Sequence, residues 1–216
     1  MTLQLRVYVP EHPLIQHWLG VARDQDTPAV LFKSAMTELG RWLTYEASRQ
    51  WLPVEEVTVQ TPLALCPAKL INPTVPMAVI PILRAGLALL DGAQTLLPLA
   101  NTYHLGMARN EDTLEASCYL NKLPEAFAPE TRILLLDPML ATGGSMMSAL
   151  AEVVARGGDP AQIRIVSVVA APPALQKLSQ AYPALNVYTA MIDETLNEQG
   201  YIVPGLGDAG DRAFGT

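Results

Sequence analysis

Cysteine is nearly absent from this chain. There are two in 216 residues, Cys66 and Cys118, far apart and without metal-ligand spacing. That leaves no disulfide framework and no zinc pattern to organise the fold. The opening stretch MTLQLRVYVP has no long apolar core of a secretory signal, so the expectation is a cytoplasmic protein with reduced thiols. Histidine is equally scarce. His12, His17 and His104 are scattered and read as structural or surface residues. Positive charge is in deficit: 14 Lys and Arg stand against 21 Asp and Glu, a net charge of −7. A nucleic-acid groove needs clustered cations, so none is expected, although a local basic site can still exist. No apolar run approaches membrane-spanning length, so no membrane association is expected. There is no internal repeat and no linker, which points to a single domain over residues 1–216. Half of the residues are hydrophobic, enough for a substantial core.

What is present is an alternation of strands and helices. Residues 1–13 read as an extended arm. Leu14, Ile15, Trp18, Leu19 and Ala22 then share one helical face. A longer helix starts near Pro28, which suits a first turn, and runs to about Gln50 with a stripe of Leu31, Ala35, Leu39, Trp42 and Leu43. Val57 to Thr61 alternates like a strand. Residues 62–75, with Pro62, Pro67 and Pro73, read mostly as loop around a short strand. From Met77 onward the pattern becomes α/β: strand Met77–Leu83, turn Arg84–Gly86, helix Leu87–Leu96, strand Asn101–Met107. A polar segment from Arg109 to Tyr119 suits a projecting hairpin. Strand Arg132–Leu136 follows, with a helix that Gly157 and Gly158 stop. The run Ile163–Ala171 suits a strand buried on both faces. A helix begins at Pro173, and Asn186–Ile192 is the last clear strand. Such alternation implies an α/β fold with a mainly parallel twisted sheet and helices on both faces.

The stretch ILLLDPMLATGGSMMS, residues 133–148, is a buried strand, a small-residue loop and a helix. In an open α/β sheet such a loop lies at the carboxyl end of a strand, where ligands bind. Its backbone N–H groups and the helix start make a seat for a phosphate. Thr142 and Ser145 add hydroxyls, and Gly143–Gly144 adds conformational freedom. An ordinary strand-to-helix turn would also use small residues. The loop is not a Walker P-loop, because its lysine is missing, and its glycine spacing is not that of a dinucleotide fingerprint.

DPMLATGGS after an apolar strand resembles the phosphoribosyl-diphosphate loop of type I phosphoribosyltransferases. In that family the loop wraps the ribose 5′-phosphate, which implies binding by Asp137, Pro138, Met139, Leu140, Ala141, Thr142, Gly143, Gly144 and Ser145. The commonest family version has further acids where this chain has Pro138 and Ala141. Ribose-hydroxyl and acid/base roles tied to those acids do not transfer. The Pro and Ala variant resembles the uracil phosphoribosyltransferases. VIPILRAGLALLDG, Val79 to Gly92, is similar to their diphosphate turn and implies Arg84 as a diphosphate ligand, with Asp91 left to helix packing or capping. GMARNEDTLEASCYLNKLP, residues 106–124, resembles a mobile hood that brings Arg109 to the diphosphate, although Ala108 stands where an aromatic residue is frequent. GYIVPGLGDAGDRAFGT, residues 200–216, resembles the base-binding tail. There the backbone at Ile202, Gly207 and Ala209 reads uracil, and Asp208 lies beside the ribosyl diphosphate and its Mg²⁺. LTYEA, residues 43–47, also matches, with Tyr45 as readily a packing residue.

The resemblance covers nearly the whole chain. It implies transfer of phosphoribose from 5-phosphoribosyl 1-diphosphate to uracil, giving UMP in pyrimidine salvage. Arg84, Arg109 and Asp208 are the expected catalytic residues, and Asp208 also borders the uracil site. Mg²⁺ is expected to arrive with the diphosphate substrate, with no dedicated protein metal site. The family implies a homodimer or higher homo-oligomer, with the N-terminal arm and long helix as candidate surfaces. Some members respond to GTP, a candidate effector that no motif in this chain decides. Two alternatives remain at this point: transfer to another base, which the tail disfavours for purines, and a nucleotide-sensing RNA binder, which the acidic balance disfavours.

Overall fold

The computed structural model describes residues 4–109 and 116–216, with the backbone alone at Arg109 and Ala116. In chain order the elements begin with β1 (Arg6–Tyr8), α1 (Pro13–Arg23), α2 (Ala29–Ser48), β2 (Val54–Gln60), β3 (Leu65–Ile71), β4 (Met77–Leu83) and α3 (Leu87–Leu96). Next come β5 (Asn101–Thr102), β6 (Leu105–Arg109), β7 (Ala116–Asn121), β8 (Arg132–Leu136), β9 (Met139–Leu140) and α4 (Gly144–Ala155). The chain ends with β10 (Ile163–Ala170), α5 (Pro172–Ala181), β11 (Asn186–Ile192), β12 (Thr195–Leu196), β13 (Ile202–Val203) and α6 (Ala209–Phe214).

The main sheet has the path β1-β11-β10-β8-β4-β6-β7. All its neighbours on that path are parallel except the β6–β7 pair. The central strands β4, β8 and β10 are near-continuous apolar runs because both faces are covered. In β8 the faces separate by alternation. Leu134 and Leu136 enter the core under α1, α2 and α3, while Ile133 and Leu135 face α4 and α5. α6 joins the first of these layers through Ala209 and Ala213. The expected α/β class with helices on both faces is therefore present.

This topology places a crevice. From β4 the chain crosses over through α3 toward β6, and from β8 it crosses over through α4 toward β10. These helices lie on opposite sheet faces. The direction of winding reverses between the adjacent strands β4 and β8, so their carboxyl ends splay apart, as at the ligand sites of open α/β sheets.

Several local expectations are corrected. The N-terminal arm is extended as expected, and it also joins the sheet: Arg6–Tyr8 pairs in parallel with β11, and Tyr8 stacks on Tyr188 at 4.7 Å. The α2 stripe is rotated, so Phe32 is fully buried while Leu31 is 45% exposed. Leu14 is also exposed, whereas Ile15, Leu19 and Ala22 are buried. Residues 62–75 hold a full strand, β3, paired antiparallel with β2. Pro67 is tolerated there because the two-stranded ribbon leaves one edge of β3 unpaired. Asp91 is exposed in the middle of α3 and neither caps nor packs it. His12 has a structural role: its Nδ1 accepts from Leu14 N–H at 3.1 Å and its ring stacks on Trp42. The stems of the expected hairpin are β6 and β7. Asn110, Glu111 and Asp112 lie outside the described residues, as does the Arg109 side chain.

Candidate active site

A cleft of ≈1080 Å³ opens at the carboxyl ends of β4 and β8. Four stretches distant in sequence meet there: the end of β4 with its turn, Met107 of β6, the loop after β8, and the tail.

The β4 turn supplies Arg84 and Ala85. It is tight because residue 86 is glycine. A Cβ there would strike the Leu136 carbonyl and the backbone of Ile82. The Leu83–Arg84 peptide is cis. Arg84 is about half exposed in the cleft. It donates to Asp211 Oδ1 at 2.9 Å and to Thr216 Oγ1 at 3.3 Å, so it already meets an anionic oxygen.

The β8 loop supplies Asp137 and residues 139–146. Gly143 is the N-cap of α4 at φ 81°, and no side chain caps that helix. Its uncapped N-terminal amides therefore face the cleft, the arrangement that attracts a phosphate. Pro138 is buried and does not line the cleft; its carbonyl accepts from Val168 and Val169 N–H. Asp137 is buried at the strand end. Burial pushes its carboxyl up to about 7, against a smaller downward pull from the Met139 backbone N–H.

The tail supplies residues 198–202, Asp208 and Gly210. Ile202 is buried at the cleft wall. Asp208 is the N-cap of α6, with Oδ1 accepting from Asp211 N–H at 3.0 Å. Ala209 is fully buried beneath it, and Gly207 is exposed at φ 74°; neither lines this cleft.

Of the residues expected from sequence, the cleft thus brings together Arg84, Asp137, residues 139–145, Ile202 and Asp208. Arg109 sits at the end of β6 by its backbone. Sequence reasoning overlooked Glu198, Gln199 and the bulk of Tyr201 as cleft lining. It also overlooked Asp193, which follows β11 as Asp137 follows β8; that shared strand-then-aspartate pattern was the available signal.

No group of three or more His, Cys, Asp or Glu among the described residues could hold a metal ion. The cleft carboxylates are Asp137, Asp208 and Glu198. One Asp208 oxygen is engaged in capping α6, which leaves Oδ2 for a cation that arrives with its own oxygen ligands.

A family model described as uracil phosphoribosyltransferase matches residues 9–216. A uracil phosphoribosyltransferase of Nostoc sp. is 74% identical over 216 residues, all of both chains. A solved structure of a protein from Aquifex aeolicus is 38% identical with TM-score 0.87, covering 96% of this chain and 97% of that one. An adenine phosphoribosyl transferase from Trypanosoma brucei, solved with AMP, pyrophosphate and ribose-5-phosphate, shares the fold at TM-score 0.55 and 14% identity. It covers 86% of this chain and 83% of that one.

Proposed function

The chain belongs to the uracil phosphoribosyltransferase family, and from that premise we propose how its own residues carry out the transfer. The reaction joins uracil to 5-phosphoribosyl 1-diphosphate and yields UMP and diphosphate, a step of pyrimidine salvage. Membership of a family of pentosyl-transferring enzymes also answers the RNA-binding alternative in favour of catalysis. One observation above all supports the residue assignment. A single cleft joins an uncapped helix N-terminus, an arginine at a strand end and the tail.

In this reading the 5′-phosphate sits on the amides of residues 142–145, with the Thr142 and Ser145 hydroxyls beside it. Residues 138–141 shape the loop, and Asp137 faces the ribose hydroxyls. Arg84 grips the diphosphate with its planar fork, and Arg109 joins it from the hood. The C1′–oxygen bond breaks with its electron pair leaving on diphosphate. Uracil N1 then bonds to C1′, and its proton passes to the departing diphosphate. The two arginines stabilise the charge growing on the leaving oxygen. The backbone around Ile202, Gly207 and Ala209 holds the base edge, and Asp208 stands between base and diphosphate. Fixing both reactants converts an encounter into an oriented collapse. Cytosine is disfavoured in this reading because its N3 and amine would cover the backbone groups at the base edge and leave them unpaired.

Mg²⁺ fits this donor set as an ion carried by the diphosphate, with Asp208 as its protein-side carboxylate; there it would spread the leaving-group charge. We also propose a homodimer, a cytoplasmic location and a site open to GTP regulation as features of the family to be tested for this chain. No helix among the described residues is long and apolar enough to cross a membrane. The deciding experiment is product detection from radiolabelled uracil and the ribosyl diphosphate with Mg²⁺, beside the other nucleobases. UMP formed from uracil alone is the expected result. Transfer to another base in preference would overturn the base assignment.

A further inference from the structure

We propose that Arg23 and Asp193 are positioning residues for the base slot: together they clamp the tail onto the end of the first helix. The observation is a closed ring of hydrogen bonds. Arg23 is the last residue of α1, and Asp193 directly follows β11. The guanidinium forks onto the carboxylate, Nη2 to Oδ1 at 2.7 Å and Nη1 to Oδ2 at 3.1 Å. Nη1 also donates to the Gly205 carbonyl at 2.9 Å, and Gly205 N–H returns to Asp193 Oδ2 at 3.0 Å. Both backbone groups of Gly205 are therefore held by one ion pair. The Asp193 side chain is only 4% exposed, so water competes little for it.

The clamp reaches Ile202 through Gly205. Gly205 adopts φ 59°, and a Cβ there would strike the Ile202 carbonyl. Any shift of Gly205 must move Ile202, the buried cleft residue assigned to the base edge. The residues flanking Arg23 hold the same tail. Arg212 donates to the carbonyl of Ala22 at 2.5 Å, of Asp24 at 2.5 Å, and of Leu206 at 2.8 Å, with its guanidinium 4.2 Å above the Phe32 ring. Three consecutive residues at the end of α1 thus set where the tail lies. None of the three lines the cleft. A slot that reads a base with backbone groups has no side chains of its own to correct its position, so its tolerance is set by such supports.

This inference rests on the tail being the base slot, and the experiment separates the two. Steady-state kinetics of the full-length protein are measured with each substrate varied, for Arg23→Lys, Arg23→Met, Asp193→Asn and Gly207→Val. Arg23→Lys keeps the charge and loses the fork. Asp193→Asn keeps an acceptor for Gly205 N–H, so these two carry the test if Arg23→Met does not fold. The expected result is an increase of about tenfold in KM for uracil, the effect of one lost charge-assisted hydrogen bond. KM for the ribosyl diphosphate should hold steady, the preference for uracil over cytosine should fall, and Arg23→Lys should be milder than Arg23→Met. Equal changes in both KM values, or none in either, would overturn the clamp. If Gly207→Val alone raises KM for uracil, the slot stands and the clamp falls. If Gly207→Val leaves it unchanged, the slot assignment itself fails.

Discussion

Arg84 and Asp211 form an ion pair of 2.9 Å across the cleft, joining the β4 turn to the tail. Thr216 Oγ1 contacts both partners, at 3.3 Å from Arg84 and 3.2 Å from Asp211. The cation assigned to the diphosphate is therefore bound to a carboxylate of the element assigned to the base. Both side chains are about half exposed, so the pair is worth at most about 1 kcal/mol. That is small enough for a diphosphate to displace Asp211. Asp211→Asn should tighten diphosphate binding by a few fold, read by titration calorimetry, because it removes a competing anion. Weaker binding would show instead that Asp211 aims Arg84.

Arg84→Ala should separate catalysis from folding. Loss of one electrostatic donor at a leaving group lowers kcat by roughly 10²–10³. The half-exposed side chain should leave the melting temperature within a few degrees of the parent. Full activity in a clean preparation would remove Arg84 from the mechanism.

Asp137 links the cleft to pH-dependent stability. Its carboxyl is raised from an ordinary value near 3.8 to about 7 because burial disfavours its charged form. Between those values the folded protein holds a proton that the unfolded chain has released. The contribution of Asp137 to stability must therefore fall as pH rises from about 4 to about 7, and level off above. The whole displacement corresponds to about 4 kcal/mol at pH 8. Asp137→Asn should flatten this dependence and be the more stable protein at pH 8, while losing activity through the ribose contact proposed for Asp137. Denaturant unfolding of both proteins from pH 4 to pH 8 checks it; equal slopes would refute it.

Two glycines should fail differently. Gly143→Ala forces a left-handed residue at φ 81° and brings a Cβ to 3.1 Å from Ala174 Cα. Its cost should be about 1–2 kcal/mol, with a raised KM for the ribosyl diphosphate. Gly86→Ala collides with the backbone of both β4 and β8, neither of which can move alone. It should reduce soluble folded protein far more, as read by expression and unfolding midpoint.

Sequence carried the sheet well because strands buried on both faces leave unbroken apolar runs. Met77–Leu83, Arg132–Leu136 and Asn186–Ile192 match their observed bounds. The strand–loop–helix form of the small-residue stretch after Asp137, which lines the cleft, was equally legible. Pairings across the chain were not. Nothing local marks Arg23 as the partner of Asp193, 170 residues away. The edge strand β1 is only three residues long and owes its form to β11. The six residues of α6 are too few to show a helical period, and their glycine-rich flanks hide the Asp208 cap.

The β2–β3 hairpin bears on the proposed homodimer. It forms a sheet of two strands only, and such a ribbon is at best marginally stable in water. It also exposes large apolar side chains: Leu63 is 96% exposed, Leu65 70%, Val54 60% and Leu70 50%. Several exposed apolar residues on one hairpin make it a candidate surface for a partner to cover. A second copy of this chain is the partner expected from the family. The arm and long helix are the other candidate surfaces: β1 is an edge strand of the sheet, and α2 buries Phe32, Met36 and Leu39 while Val30 stays 82% exposed. The double variant Leu65→Asp, Leu70→Asp should halve the mass measured by light scattering after size exclusion. Neither residue lines the cleft, so binding of the ribosyl diphosphate should survive if each chain's site is complete. An unchanged mass would move the interface away from the hairpin, and a monomeric parent would exclude the dimer itself.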